Sequence, residues 1–244
     1  MSLHPRHVRT KLGELDCHVV DALPEGAKPE LVVVLSHGYG ASGTDLMGLA
    51  PELWAAAPRL AEGVRFVFTQ APLTLAHLGM PQAHAWFLLP DSVLAGEQRD
   101  WDQFARDVPP GMPAARRALM STVAALQHPY GRIVLGGFSQ GAMLSTDVAL
   151  RLEEAPAGLC LLSGTLIAVE EWKTKARARS SLPVFMGHGR DDTMLPFHGA
   201  ERLRDVLTGA GLPVELLPFD GGHAIVTEEI ERMAAFLEKR LDER

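Results

Sequence analysis

The segment Arg132-Ile-Val-Leu-Gly-Gly-Phe-Ser-Gln-Gly141 joins an apolar run to a helix-like stretch through a sharp turn. Its first four residues predict a β-strand, and the apolar segment that begins at Gln140 predicts a helix. The pattern Gly-x-Ser-x-Gly is typical of a nucleophilic serine held on a strained turn between a strand and a helix. Gly137 and Gly141 suit the two places where those backbones nearly touch. The segment predicts Ser139 as a nucleophile, although a turn without chemical meaning would match the same pattern.

Short apolar runs alternate with helix-like segments along the chain, which is typical of a mostly parallel α/β sheet. Leu31-Val-Val-Val-Leu35 is continuously apolar, as expected for a strand covered on both faces, so we expect helices on both sides of the sheet. Residues 7–20 turn at Gly13 and predict one or two antiparallel edge strands. The other predicted strands are 64–68, 132–135, 158–162, 182–186 and 214–217, and the predicted helices are 44–57, 112–127, 140–153, 197–209 and 224–241.

The length of the chain suits one hydrophobic core, so residues 1–244 predict a single domain. Residues 73–111 fit no regular element well, and they hold several prolines together with Trp86 and Trp101. Loops of this length are uncommon unless they are functional or disordered, and the aromatic content argues against disorder. We therefore expect a partly helical flap over the edge of the sheet.

Composition and charge exclude several classes of function. The formal net charge of −7 argues against a nucleic-acid partner, because phosphate binding needs clustered Lys and Arg. The basic stretch at 173–179 is typical of a solvated helix face. No run of eighteen or more apolar residues occurs, so we expect no integral membrane contact. Two cysteines and an N-terminus without an apolar signal stretch predict a soluble, cytoplasmic protein, whereas nothing indicates its oligomeric state.

A serine hydroxyl becomes a good nucleophile when a neighbouring base takes its proton, so a histidine should lie near Ser139. Three of the ten histidines follow Ser139 in the sequence, namely His188, His198 and His223. His223 lies in a glycine-containing turn between the last predicted strand and the last predicted helix. His188 directly follows an apolar run and His198 begins a helix, so packing or turn roles suit them better. The order of elements therefore predicts His223 as the base.

A carboxylate that orients this imidazole should come from the loop after the preceding strand. Asp191 and Asp192 both follow the predicted strand 182–186, and periodicity does not choose between them. Asp220 is a third candidate, although it lies close to His223 in the sequence.

Stabilising a tetrahedral oxyanion requires two backbone N–H donors, one from the residue after the nucleophile and one from a loop after an earlier strand. Gln140 supplies the first, and the glycine-rich loop at 37–43 should supply the second. Gly38, Gly40 and Gly43 also match a dinucleotide-binding spacing, but the expected ribose-binding acid would not fall at the end of a second strand. No Cys-x-x-Cys or His-x-x-x-His spacing occurs, so we expect neither a metal nor a cofactor.

Several motifs spread over most of the chain resemble the phospholipase/carboxylesterase family, which includes acyl-protein thioesterases and small bacterial carboxylesterases. The resemblance implies an α/β-hydrolase fold. The matching motifs are His37-Gly-Tyr-Gly with Asp45, Ala71-Pro72, Trp86-Phe87, Gly137-Phe-Ser-Gln-Gly141, Leu162-Ser-Gly164, His188-Gly-x-x-Asp192-x-x-Leu-Pro196 and Gly222-His223.

This resemblance also implies roles that the spacing leaves open. It favours Asp192 over Asp191 as the acid, and it implies that the N–H groups of Tyr39 and Gln140 hold the oxyanion. It further implies that a flap over residues 75–89 shapes the acyl site. The implied substrate-binding candidates are Leu75, Trp86, Phe87 and Leu195, of which Leu195 stands where the family usually has valine. Residues 91–111 match no part of the family's pattern.

The sequence thus predicts a serine carboxylesterase or thioesterase without a cofactor, in which Ser139, His223 and Asp192 hydrolyse a small-molecule ester or thioester through an acyl-serine. Two other classes stay open at this point. The chain could act on peptides or on another acyl group, or it could be a catalytically silent binding module. Neither the length of the acyl chain nor the leaving group follows from the sequence.

Overall fold

The computed structural model describes residues 5–89 and 100–243, and its central feature is one eight-stranded β-sheet. The strands in these ranges are β1 (Arg6–Leu12), β2 (Leu15–Asp21), β3 (Leu31–Ser36), β4 (Val64–Thr69), β5 (Leu73–Leu75), β6 (Met80–Ala85), β7 (Ile133–Phe138), β8 (Gly158–Leu162), β9 (Val184–Gly189) and β10 (Val214–Phe219). The large sheet has the order β1-β2-β4-β3-β7-β8-β9-β10. Pairing is antiparallel from β1 to β2 and from β2 to β4, and it is parallel between the other neighbours.

All the strands predicted from apolar runs are present in this sheet, with ends that differ by up to three residues. The segment that turns at Gly13 forms the antiparallel pair β1 and β2 at one edge, as predicted. The predicted α/β-hydrolase architecture, a mostly parallel sheet with helices on both faces, is confirmed.

The five predicted helical segments are present with altered ends, and a short helix at Arg59–Gly63 was not predicted. The helices in the described ranges are α1 (Leu49–Ala56), α2 (Arg59–Gly63), α3 (Trp101–Arg106), α4 (Met112–Ala125), α5 (Gln140–Ala149), α6 (Val169–Ala176), α7 (Phe197–Gly209) and α8 (Thr227–Asp242). The predicted helix at 44–57 is instead a 3-10 turn, Asp45–Gly48, followed by α1. The helix after Ser139 ends at Ala149 rather than at residue 153. The last helix begins at Thr227 rather than at residue 224, which leaves His223 in a longer loop.

Residues 73–111 contain more regular structure than the sequence predicts. Strands β5 and β6 form an antiparallel hairpin, which the sequence analysis missed, and α3 supplies the expected helical part. Leu73 and Met80 are exposed, so the hairpin lacks the apolar alternation by which strands are recognised. The part of the predicted flap at 90–99 lies outside the described residues.

The core lies on both faces of the sheet because successive strand residues point in opposite directions. On β3, Val32 and Val34 pack against the face covered by α4, α5 and α6, whereas Val33 packs against the face covered by α1, α2 and α8. Among the helices within the described ranges, none combines the length and the apolar character needed to cross a bilayer.

Glu229, in the first turn of α8, is one of several buried ionisable residues and lies beneath the sheet. Its carboxyl group packs against the backbone of Gly187 on β9, where any larger side chain would overlap it. Burial raises the pKa of Glu229 from its ordinary value of 4.5 to about 8, and the backbone N–H of Val226 offsets this only in part. The folded protein therefore holds this proton more tightly than the unfolded chain does.

The stability of the protein should consequently fall as the pH rises from about 4.5 to about 8. In this window the unfolded chain releases the proton of Glu229 and the folded chain keeps it, which lowers the free energy of unfolding by on the order of a few kcal/mol. Glu229→Gln should flatten this fall in urea titrations at about pH 5 and about pH 8.5. The exposed neighbour Glu228 provides the control, because Glu228→Gln should keep the wild-type slope. An unaltered slope in Glu229→Gln would contradict the expectation.

Candidate active site

Ser139 lies on a strained turn between β7 and α5. Its φ of 55° and ψ of −116° lie in a region that residues other than glycine rarely adopt. A side chain at Gly137 or at Gly141 would overlap the carbonyl oxygen of Ser36 on the neighbouring strand β3. The two glycines are therefore required by close backbone contacts, as the Gly-x-Ser-x-Gly pattern predicts.

The loop between β10 and α8 carries His223 to this serine. Its Nε2 lies 2.9 Å from Oγ of Ser139, and its Nδ1 lies 2.7 Å from Oδ2 of Asp192. The ring of Phe138 packs on the imidazole with the ring centroids 4.7 Å apart. Because Oδ2 is an acceptor, the bond to Asp192 requires a hydrogen on Nδ1 and leaves the Nε2 lone pair facing the serine hydroxyl.

Asp192 is the carboxylate that the structure brings to His223. Its Oδ1 accepts the backbone N–H groups of Met194 and Leu195, each at 2.8 Å, and its side chain is fully buried. Burial alone would raise the pKa of Asp192, but the nearby Nε2 of His188 and hydrogen bonds from His223 and the Leu195 N–H hold it well below its ordinary value. The carboxyl group is therefore ionised at neutral pH.

The other candidates for acid and base lie elsewhere. Asp191 is exposed, and the side chain of Asp220 is 99% exposed beside Arg190. His198 is an exposed residue of α7 whose ring faces Trp101. His188 is fully buried, and its Nε2 lies 2.7 Å from the carbonyl oxygen of Leu195. It also lies 3.2 Å from Oδ2 of Asp192, a contact that the sequence analysis missed.

The loop after β3 passes directly over the serine. A methyl group at Gly38 would lie 3.2 Å from the Phe138 ring and 3.4 Å from Cβ of Ser139. Tyr39 from this loop and Gln140 from the start of α5 border the same cavity as Ser139 and His223. The structure thus brings together the two residues whose N–H groups were predicted as oxyanion donors.

The side chain of Gln140 makes contacts that the sequence did not indicate. Its Oε1 accepts the backbone N–H of Trp86 at 2.8 Å, and its Nε2 donates to the carbonyl oxygen of Phe87 at 2.7 Å. The indole N–H of Trp86 in turn donates to the carbonyl oxygen of His37 at 2.9 Å. This chain of bonds ties the start of α5 to the loop that carries Tyr39.

A cavity of about 160 Å³ adjoins Ser139. Its apolar lining is Leu89, Phe104, Phe138, Met143, Met194 and Leu195, and Asp45 adds one carboxylate.

Of the four residues predicted to bind substrate, Leu195 lines this cavity. Leu75, Trp86 and Phe87 do not line this cavity in the described part of the chain, so their contact with substrate stays a prediction. Leu75 is buried with Ala83 and Ala85 under the hairpin, whereas Trp86 and Phe87 are buried in the main core. Tertiary packing thus uses the apolar surface of these three residues behind the site.

Comparison with known proteins identifies the family of the chain. A sequence profile of the phospholipase/carboxylesterase family matches residues 18–241. The chain belongs to this family. Acyl-protein thioesterase 1 of Eremothecium gossypii is 32% identical over 213 residues, which cover 86% of this chain and 87% of that protein. Acyl-protein thioesterase 1 of Neurospora crassa is 27% identical over 239 residues, which cover 90% of each.

Solved structures show the same fold. Esterase PE8 superposes with a TM-score of 0.77 at 28% identity, covering 93% of this chain and 99% of that one. Acyl-protein thioesterase 2 of Zea mays superposes with a TM-score of 0.70 at 22% identity, covering 92% and 98%, and supports the fold alone. The predicted family and the predicted enzyme class, serine hydrolase, are confirmed.

Gln140→Ala should lower both the stability and the turnover of the enzyme. It leaves the buried N–H of Trp86 and the buried carbonyl of Phe87 without their partner, which costs about 1–3 kcal/mol for each group. Because Trp86 also holds the carbonyl of His37, the loop over Ser139 should loosen and kcat should fall. Urea denaturation and ester turnover measure the two effects.

Gln82→Ala is the matched control, since Gln82 is an exposed glutamine on β6 of the adjoining hairpin. It should leave both quantities at wild-type values. A Gln140→Ala enzyme with full stability and full turnover would show that the hydrogen bonds from Gln140 to Trp86 and Phe87 are dispensable.

Proposed function

We propose that this chain is a serine esterase or thioesterase that hydrolyses carboxylic ester or thioester bonds through an acyl-enzyme on Ser139. The observation that carries the proposal is the hydrogen-bonded series from Ser139 Oγ to His223 at 2.9 Å and from His223 to Asp192 at 2.7 Å. Family membership and the similarity to esterases and acyl-protein thioesterases support the same reaction.

In the acylation step, Oγ of Ser139 attacks the acyl carbon while Nε2 of His223 accepts the serine proton. Asp192 holds the imidazole in the required tautomer and stabilises the imidazolium that forms. The backbone N–H groups of Tyr39 and Gln140 bind the oxyanion of the tetrahedral intermediate, aided by the N-terminal end of α5. When this intermediate collapses, His223 protonates the departing alcohol or thiol.

Deacylation repeats the sequence with water in place of the serine. His223 takes a proton from the attacking water, the second tetrahedral intermediate uses the same N–H donors, and Ser139 leaves with its proton restored. Every catalytic group in both steps belongs to the chain itself, and the scheme uses no cofactor.

The cavity beside Ser139 suits the acyl part of the substrate, because its lining is mostly apolar. The relatives named acyl-protein thioesterase favour a thioester among the substrates, whereas esterase PE8 favours an ester. Action on a small-molecule substrate, a cytoplasmic location and a single-domain organisation stay predictions.

Ser139→Ala should abolish covalent labelling by a fluorophosphonate probe and lower kcat by several orders of magnitude, since the variant has no nucleophile. Turnover is measured on p-nitrophenyl acetate and on a thioester and an amide with the same acyl group. Ser180→Ala, at an exposed serine, should keep wild-type labelling and turnover. Labelling that survives in Ser139→Ala would place the nucleophile elsewhere. Faster cleavage of the amide than of the ester and the thioester would refute the proposed substrate class.

A further inference from the structure

His188 lies next to the last residue of β9 and four residues before Asp192. Its side chain is fully buried, and its Nε2 faces two oxygen atoms, the carbonyl oxygen of Leu195 at 2.7 Å and Oδ2 of Asp192 at 3.2 Å. Both oxygens are acceptors, so Nε2 carries the hydrogen, which points to the Leu195 carbonyl with Oδ2 close beside it.

These contacts hold the acid in two ways. The N–H of Leu195 donates to Oδ1 of Asp192 at 2.8 Å, and the carbonyl of the same residue accepts from His188. His188 therefore fixes the short turn whose backbone holds one carboxyl oxygen. It also lies beside the other oxygen, Oδ2, which is the atom that accepts the N–H of His223.

The surroundings of His188 favour such a role over packing alone. Its Nδ1 is buried and has no hydrogen-bond partner within the described ranges, and an unsatisfied buried nitrogen is costly. An apolar side chain would fill the same space without that cost. The burial of this ring is compensated by the hydrogen bond from Nε2 to the Leu195 carbonyl and by the contact of Nε2 with Asp192.

We propose that His188 is a positioning residue that holds the carboxylate of Asp192 in line with His223 and shares the negative charge on Oδ2. This inference rests on the proposed function, because its effect is exerted through Asp192 on the base. It assigns His188 no contact with substrate.

Two consequences follow from removing the imidazole. Asp192 would lose part of its support, and a misplaced acid lowers kcat because His223 is then poorly oriented. The negative charge on Oδ2 would also lose the N–H that lies beside it.

Other charged groups around the site are the same in all the variants below. Asp45 faces the site across the cavity, Asp191 adjoins the acid, and Glu229 lies beneath Gly187 on the opposite face of β9. Arg190 and Asp220 are 3.9 Å apart on the two loops that carry Asp192 and His223. A change in kcat can therefore be attributed to position 188.

The kinetic test compares His188→Leu, which removes the donor, with His188→Gln, whose amide keeps an N–H at similar reach. On p-nitrophenyl acetate, His188→Leu should lower kcat by about 10- to 100-fold and change KM by less than about threefold. His188→Gln should recover most of the loss. His198→Leu, at an exposed histidine on α7, should match the wild type. Equal kcat values for His188→Leu and His188→Gln, or an effect confined to KM, would overturn the proposal.

A second measurement needs no variant at this position. In the unmodified protein with 15N-labelled histidine, NMR should show a hydrogen on Nε2 of His188, whereas the Nδ1–H tautomer would overturn the inference. This result does not depend on turnover or on whether His188→Leu folds. If the wild-type enzyme cleaves no ester or thioester, the proposed function fails, while the tautomer still decides whether His188 donates towards Asp192.

Discussion

The hydrogen-bonded bridge that His223 makes between Asp192 and Ser139 is the interaction on which the site depends. Each of the three residues follows a different parallel strand, β7, β9 or β10, and the carboxyl ends of parallel strands meet at one edge of the sheet. Backbone bonds fix the loops to one another, since the N–H of Asp191 donates to the carbonyl of Gly221 at 2.9 Å. A rigid sheet therefore sets distances that flexible side chains alone would not hold.

Residues that take no part in the reaction pack closely around the bridge and hold its three members in place. The Ser36 carbonyl leaves no room for side chains at the two glycines beside Ser139, so a serine in a strained conformation is held by its surroundings. Gln140 connects the nucleophile's helix to Trp86, which holds the loop of Tyr39. His188 supports the acid in a comparable way at the Asp192 end of the bridge.

Much of this arrangement can be predicted from the sequence, because buried parallel strands appear as apolar runs and the residues after them gather at one edge. Ser139 and His223 follow from that order of elements, whereas the choice of Asp192 over Asp191 needed the family's motif. The hairpin of β5 and β6 has no apolar alternation and was missed. The side-chain hydrogen bonds of Gln140 and His188 depend on tertiary contacts, which no local sequence pattern indicates. For the same reason, the sequence does not distinguish a Trp86 that binds substrate from a Trp86 that packs behind the site.

The most direct test of the bridge is proton NMR of the resting enzyme in solution. A hydrogen bond from Nδ1 of His223 to a buried carboxylate shifts that proton far downfield, outside the range of ordinary amide protons. We expect such a resonance in the wild type and in Asp191→Asn, and we expect its loss in Asp192→Asn. A resonance that persists in Asp192→Asn, or that vanishes in Asp191→Asn, would contradict the account.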